Sequence, residues 1–129
     1  MQYHISHNGK YFDVSAHGKG HLKDFIDYSL SIFAHPKWQP GSDVCVDFTK
    51  ADLADITIGE IIELSKELIN AKEHWGACRL SHFVNRDEEF GMVRMFMQWV
   101  DGKWEGEMRV YRSEEQARAW LATELSPDQ

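Results

Sequence analysis

No stretch of this sequence approaches the ~20 consecutive apolar residues that a membrane span requires. Nor does any run of Lys or Arg supply the positive stripe that a nucleic-acid binder needs to release phosphate counterions. The formal net charge is −7, and the acidic residues are spread along the chain rather than gathered in a tail. The same deficit of cations argues against docking on an anionic membrane surface through a polybasic patch. Only two cysteines are present, Cys45 and Cys78, with no CxxC spacing, so neither a disulfide framework nor a thiol redox motif is expected. Both fall in apolar runs and read as small buried hydrophobes. The first residues, Met1 to His7, lack the charged start and apolar stretch of a secretory signal, and a cytoplasmic location is the expectation. Metal-ligand patterns are also missing. His4 and His7 point to opposite faces of a strand, and His17 and His21 are separated by Gly18 and Gly20, so neither metal nor cofactor is expected.

What is present fits one globular α/β domain. With 129 residues, 43% of them hydrophobic and 12% aromatic, the chain can build a single core. Tyr3–Ser6 and Tyr11–Ala16 read as strands around Asn8-Gly9, a pair that favours a tight hairpin turn. Apolar residues at helical spacing run from Leu22 through Ala34, and His35-Pro36 ends that helix. Asp43–Phe48 reads as a buried strand. A loop through Asp52–Asp55 leads to an amphipathic helix whose apolar face carries Ile58, Ile61, Ile62, Leu64, Ser65, Leu68 and Ile69, closed by Trp75-Gly76. Ala77–Val84 is the next strand, Phe90–Val100 a third helix, Gly106–Arg112 the last strand and Ser113–Leu121 a final helix. Residues 1–125 form the expected domain, with order ββαβαβαβα, a mixed five-stranded sheet that is parallel after the opening hairpin, and a frayed tail at 126–129.

Several stretches together carry a likeness: His35-Pro36-Lys37-Trp38-Gln39-Pro40-Gly41, Val46-Asp47-Phe48, Ala51-Asp52-Leu53, Phe90-Gly91-Met92-Val93-Arg94-Met95-Phe96, and Glu115-Gln116-Ala117-Arg118-Ala119-Trp120-Leu121. In that succession the sequence resembles the uncharacterised bacterial proteins of the STAS-like superfamily. Their folds relate to anti-sigma-factor antagonists and to CRAL-TRIO lipid-binding domains. The resemblance spans almost the whole chain and implies a fold more directly than a function. The antagonists carry a phosphorylatable Ser or Thr in an Asp-Ser-Ser-Gly-like segment. The matching stretch here is Asp55-Ile56-Thr57-Ile58-Gly59, which puts Thr57 at the phosphoacceptor position, with Ile56 in place of a Ser and the Gly displaced by one residue.

Two features stand out as candidate sites. Thr57-Ile58-Gly59-Glu60 fits a capping box in which Thr57 and Glu60 satisfy each other's amides. A phosphate at that helix N-terminus would gain from the dipole and be repelled by Asp55 and Glu60. Ser113–Gln116 reads as a second box. In the third helix, Met92, Val93, Met95, Phe96, Met97, Trp99 and Val100 span an arc of roughly 200°. A helix on one sheet face needs a stripe only a little over ~100° wide. The excess fits a cover from Trp104 and the final helix, a homodimer or protein-partner seam, or a cleft for a hydrophobic, lipid-like small molecule. Asp47, Asp52 and Asp55 gather near a strand's C-terminal end, where open α/β sheets bind ligands. No nucleophile with a base in reach and no phosphate loop accompanies them, and they read as loop solvation and helix entry. The expectation is a non-enzymatic binding or regulatory module.

Overall fold

The computed structural model describes residues 1–123; the expected frayed tail lies outside them. Strands β1 (Gln2–His7), β2 (Phe12–Lys19), β3 (Val44–Asp52), β4 (Arg79–Phe83) and β5 (Glu107–Tyr111) lie side by side in sequence order. β1 pairs antiparallel with β2, and every later pair is parallel. The expected mixed sheet and its element order are those observed, with one addition. Helix α2 (Ile58–Asn70) stops at Ala71, and a separate turn, α3 (Lys72–Trp75), follows it and buries Trp75.

Because each parallel crossover steps the same way across the sheet, right-handed connection places all the crossover helices on one face. The packing agrees. α1 (Leu22–Phe33), α2 and α4 (Asp87–Val100) bury Phe25, Leu68 and Val93 against Val46, Leu80 and Met108. Among the described residues the other face receives only α5 (Glu114–Ala122), whose Ala117 and Leu121 pack with Cys45 and Phe83. The final helix therefore cannot cover α4, because the sheet stands between them. Trp104 does pack beside the α4 core, and Gly106 makes room for it. A Cβ at Gly106 would lie 2.3 Å from the Trp104 ring.

Sequence and structure differ at several boundaries. The opening turn is not a two-residue Asn-Gly hairpin; only Gly9 has positive φ (97°), and the Asn8 side-chain oxygen accepts from the Lys10 and Tyr11 amides, both at 3.0 Å. β3 continues four residues past Phe48 because it carries an irregularity. Ser15 pairs with Asp47 but His17 with Lys50, so β3 holds one extra residue there and its inward parity switches. Asp47 holds the irregularity by accepting from the Thr49 amide (2.8 Å) and hydroxyl (2.6 Å), and Asn85 donates to the Thr49 carbonyl at 2.9 Å. α4 begins three residues before Phe90 because Glu89 is drawn into the interior rather than left in a loop.

α5 is short and its apolar contact is small, so polar anchors carry much of its docking. Arg79 on β4 is buried and forms a bidentate pair with Asp43 (2.6 Å at the closest). The same guanidinium donates to the Trp120 carbonyl at 3.0 Å and to the Thr123 carbonyl at 2.8 Å, closing the helix C-terminus. Ser81 donates to the Ala117 carbonyl at 2.8 Å, and Arg118 reaches Asp13 at 2.6 Å. Removing one partner of a buried ion pair strands the other charge, so Asp43→Ala should lower the unfolding free energy by about 3–5 kcal/mol. Urea denaturation checks this; a loss under about 1 kcal/mol would mean the pair behaves as a surface bridge.

Candidate functional site

Between α1, α2, α4 and the sheet lie two small apolar clefts, both partly open to solvent, that share part of their lining and are treated below as two lobes. The larger, about 90 Å³, opens between α1 and α2, where Ile26, Leu30 and Glu67 stand at its walls, and it is floored by Leu80, His82 and Met108. The smaller, about 60 Å³, extends toward α4 and the β3–α2 loop, past Met92, Val93 and Ile56. Phe25, Tyr28, Leu64, His82 and Phe96 line both. The sequence periodicity explains the placement. Alternation along β4 sends Leu80 and His82 to the three-helix face and Arg79, Ser81 and Phe83 to the α5 face.

His82 is the exception in this lining. It is 5% exposed, stacks obliquely on Phe48 with ring centroids 5.5 Å apart, and its Nδ1 is buried with no hydrogen-bond partner among the described residues. Burial disfavours the imidazolium and pushes the pKa down to about 4, against a smaller opposing effect of the Arg109 carbonyl. The ring is thus neutral at pH 7. Burial likewise pushes the Tyr28 phenol up, keeping it protonated. An orphaned buried polar atom costs about 1–3 kcal/mol, and native interiors rarely retain one without a use.

The third-helix residues separate into distinct environments. Met92 and Phe96 line the cavity, Val93 is buried where it borders the smaller lobe, and Val100 is buried in the core. Met97 is half-buried against the core and borders a surface groove beside Trp104. Met95 is half-buried, and Trp99 is 41% exposed, with the Lys103 ammonium 5.9 Å from its ring centroid. On α2, Ile58 leaves the apolar face and stands 60% exposed.

At the N-terminus of α2 the capping box is formed. Thr57 Oγ1 accepts from the Glu60 amide at 3.1 Å, and Glu60 Oε1 accepts from the Thr57 amide at 3.2 Å. The Thr57 hydroxyl also meets Glu60 Oε1 at 3.2 Å. A phosphate on that oxygen would face the Glu60 carboxylate, while Lys19 is paired with Asp55 at 3.0 Å. At Ser113 only half of the expected box forms: Ser113 accepts from the Gln116 amide at 3.3 Å, without a reciprocal bond.

The three aspartates do not converge. Asp47 sits in mid-strand on the α5 side and holds Thr49, Asp52 accepts from the Ala54 amide at 3.0 Å, and Asp55 pairs with Lys19. The carboxylate the sequence reading overlooked is Glu89, 2% exposed, which accepts from Arg86 and from the Leu53 amide at 3.4 Å and so ties α4 to the β3–α2 loop. Its signal was the third helical position after Arg86, where a Glu favours a helix start. Both cysteines are free and buried, and burial pushes each thiol up to about 12, which leaves them unreactive. Among the described residues no group of three or more His, Cys, Asp or Glu is placed to hold a metal, and no helix is long and apolar enough to cross a membrane.

This arrangement, a sequentially ordered mixed sheet with three helices on one face and one on the other, is the SpoIIAA-like, or STAS-like, fold. The chain is similar over 93% of its length to the crystal structure of an uncharacterised protein of the DUF3478 family from Shewanella loihica PV-4, described as having a SpoIIAA-like fold; the TM-score is 0.59, the identity 16%, and 92% of that chain is covered. No protein-family model matches the sequence, and no curated protein matches it.

Two measurements follow from this geometry. Thr57→Ala should cost about 1 kcal/mol, and Thr57→Ser should restore most of it. For His82, the unfolded state takes up a proton near pH 6.5 and the folded state only near pH 4, so stability is full above the first value and falls as pH drops toward the second. Between pH 7 and pH 4 the wild type should lose about 3 kcal/mol more than His82→Phe, which has no proton to bind. Parallel pH–stability curves for the two proteins would show that the imidazole is not sequestered.

Proposed function

We propose that this protein is a non-enzymatic binding module that holds a small apolar molecule beneath α2. The observation that carries this reading is an apolar cavity, reached between α1 and α2, with an unpartnered buried imidazole in the wall shared by its lobes. Core packing normally leaves few voids larger than a water molecule. Here two voids persist where α1, α2 and α4 meet the sheet.

Volume sets the size of the occupant. Lobes of about 90 and 60 Å³ fall well short of the ~300 Å³ at the lower end of ordinary ligand pockets. A long lipid chain does not fit; benzene occupies an apolar cavity of ~150 Å³, so the occupant is no larger than one small ring and a ring must take up both lobes. The SpoIIAA-like fold supports the non-enzymatic part of the reading, and so does the dispersal of Asp47, Asp52 and Asp55. Self-association through α4 has less support, because Met92, Phe96 and Met97 pack against the chain's own core and leave Met95 and Trp99. That is little beside the ~800 Å² per partner of a stable interface.

Toluene is a suitable probe. Titrated into the protein and followed by amide NMR, it should shift Leu64, His82 and Phe96 saturably, and Leu64→Phe, which fills the shared wall, should abolish the response. A wild-type protein that shows no saturable shift would remove the cavity as a binding site.

A further inference from the structure

We infer that β1 is an interface: two copies of this protein pair antiparallel through that strand, about a two-fold axis at Ile5, and so join their two sheets into one. Nothing in this pairing depends on the clefts being filled.

The hydrogen bonds of the neighbouring strands set which backbone groups of β1 point outward. The Phe12 amide donates to the Asp43 carbonyl at 2.9 Å, on the β3 side, so Phe12 turns its backbone groups away from β1. His7, its partner across the hairpin, therefore sits at a non-hydrogen-bonded pair and turns its own N–H and C=O to the free edge. One residue on, the Asn8 amide donates inward to the Tyr11 carbonyl at 3.2 Å, as the alternation requires. Continued along the strand, the same alternation sends the N–H and C=O of Tyr3, Ile5 and His7 outward and those of His4 and Ser6 to β2. β1 ends the sheet, and among the described residues nothing bonds to these outward groups.

A free edge is ordinarily blunted by charge, proline or a bulge. The other edge, β5, is guarded in this way, since Glu107 and Arg109 stand on it and pair at 2.8 Å. β1 has no such guard. Its residues, Gln2-Tyr3-His4-Ile5-Ser6-His7, include no Lys, Arg, Asp, Glu, Pro or Gly, and its register against β2 is unbroken from Gln2 to His7. The strand is also held from behind. The Tyr3 ring packs near Tyr28 with centroids 6.1 Å apart, and its hydroxyl meets Ser31 Oγ at 3.1 Å. A strand already fixed on one side gives up little freedom when it pairs on the other.

A second copy is the occupant this edge fits. Three outward residues centred on Ile5 are matched to themselves by a two-fold rotation. Antiparallel pairing then sets Ile5 opposite Ile5 of the second copy and Tyr3 opposite its His7. Each facing pair exchanges two hydrogen bonds, so every outward N–H and C=O finds a partner. The rotation also preserves the faces of the sheet. Tyr3 and Ile5 already pack on the three-helix side, where His7 meets the Phe12 ring, and they extend that apolar surface across the seam. On the other side His4 lies opposite Ser6. No charged side chain of β1 meets another, which matters for a chain of net charge −7 whose copies otherwise repel. The contact is one strand wide, at the low end for specific interfaces, so the dimer fills as concentration rises.

Sedimentation from micromolar to millimolar concentration should show the mass rising toward twice that of one chain. Amide hydrogen exchange followed by NMR identifies the surface: Tyr3, Ile5 and His7 should become protected as the dimer forms, whereas His4 and Ser6, bonded to β2, should be protected at every concentration. Ile5→Pro is the matching variant. Proline is tolerated where the missing N–H faces out from an edge strand, so β1 stays paired with β2 while each copy loses one donor at the axis. The two lost bonds, roughly tenfold each, should weaken the dimer about a hundredfold. Should that variant not fold, the wild-type exchange pattern decides alone. A protein still monomeric at millimolar concentration would overturn the second copy as occupant. A dimer whose Tyr3, Ile5 and His7 amides exchange freely, or a folded Ile5→Pro protein that dimerises like the wild type, would overturn β1 as the seam.

Discussion

Handedness is the constraint on which this structure turns. Five strands lie in sequence order, and each parallel connection moves one step in the same direction. Right-handed crossovers then have no choice of face: α1, α2 and α4 must share one side of the sheet. Three helices crowd onto a surface only five strands wide, with α2 between α1 and α4. Among the described residues the opposite surface is left to the nine residues of α5. The deep apolar core, the cavity under α2 and the ionic docking of α5 all descend from that unequal division.

The two faces are held by different physics. On the three-helix side, burial of Phe25, Ile32, Val46, Phe48, Leu68 and Leu80 supplies the main stabilisation, of the order of 1.5–3 kcal/mol for each large side chain taken from water. On the other side the buried apolar set is small, and Arg79 compensates by linking Asp43 to the open carbonyls of α5. Arg79 and Glu89 are both buried charges, and both are satisfied: Arg79 by a carboxylate and three carbonyls, Glu89 by a guanidinium and an amide. His82 breaks that pattern. It is neutral, buried and incompletely bonded, and it lies where the packing leaves room.

Much of this was legible in the residues. The order of elements followed from the switch between period-two and period-3.6 patterns, and the Thr57–Glu60 cap from the chemistry of four consecutive side chains. Where the reading missed, a long-range partner was responsible. β3 runs past Phe48 because Asp47 and Asn85 stabilise an extra residue that no local alternation announces. α4 starts at Asp87 because Glu89 finds Arg86 and the Leu53 amide. The broad apolar arc of the third helix looked excessive for one sheet face, yet Met92 and Phe96 turn toward a cavity that lies beneath a different helix.

By itself the sequence determined the kinds of element, their order and the parallel sense of the sheet, because periodicity, capping and turn chemistry act within a few residues. It also set the formal net charge at −7. Only the tertiary structure decided that the final helix stands across the sheet from α4, that Arg79 and Asp43 meet, and that the buried His82 lines the apolar clefts with Nδ1 unpartnered among the described residues. Those facts depend on distances between residues far apart in the chain, and such distances exist only once the crossovers have closed.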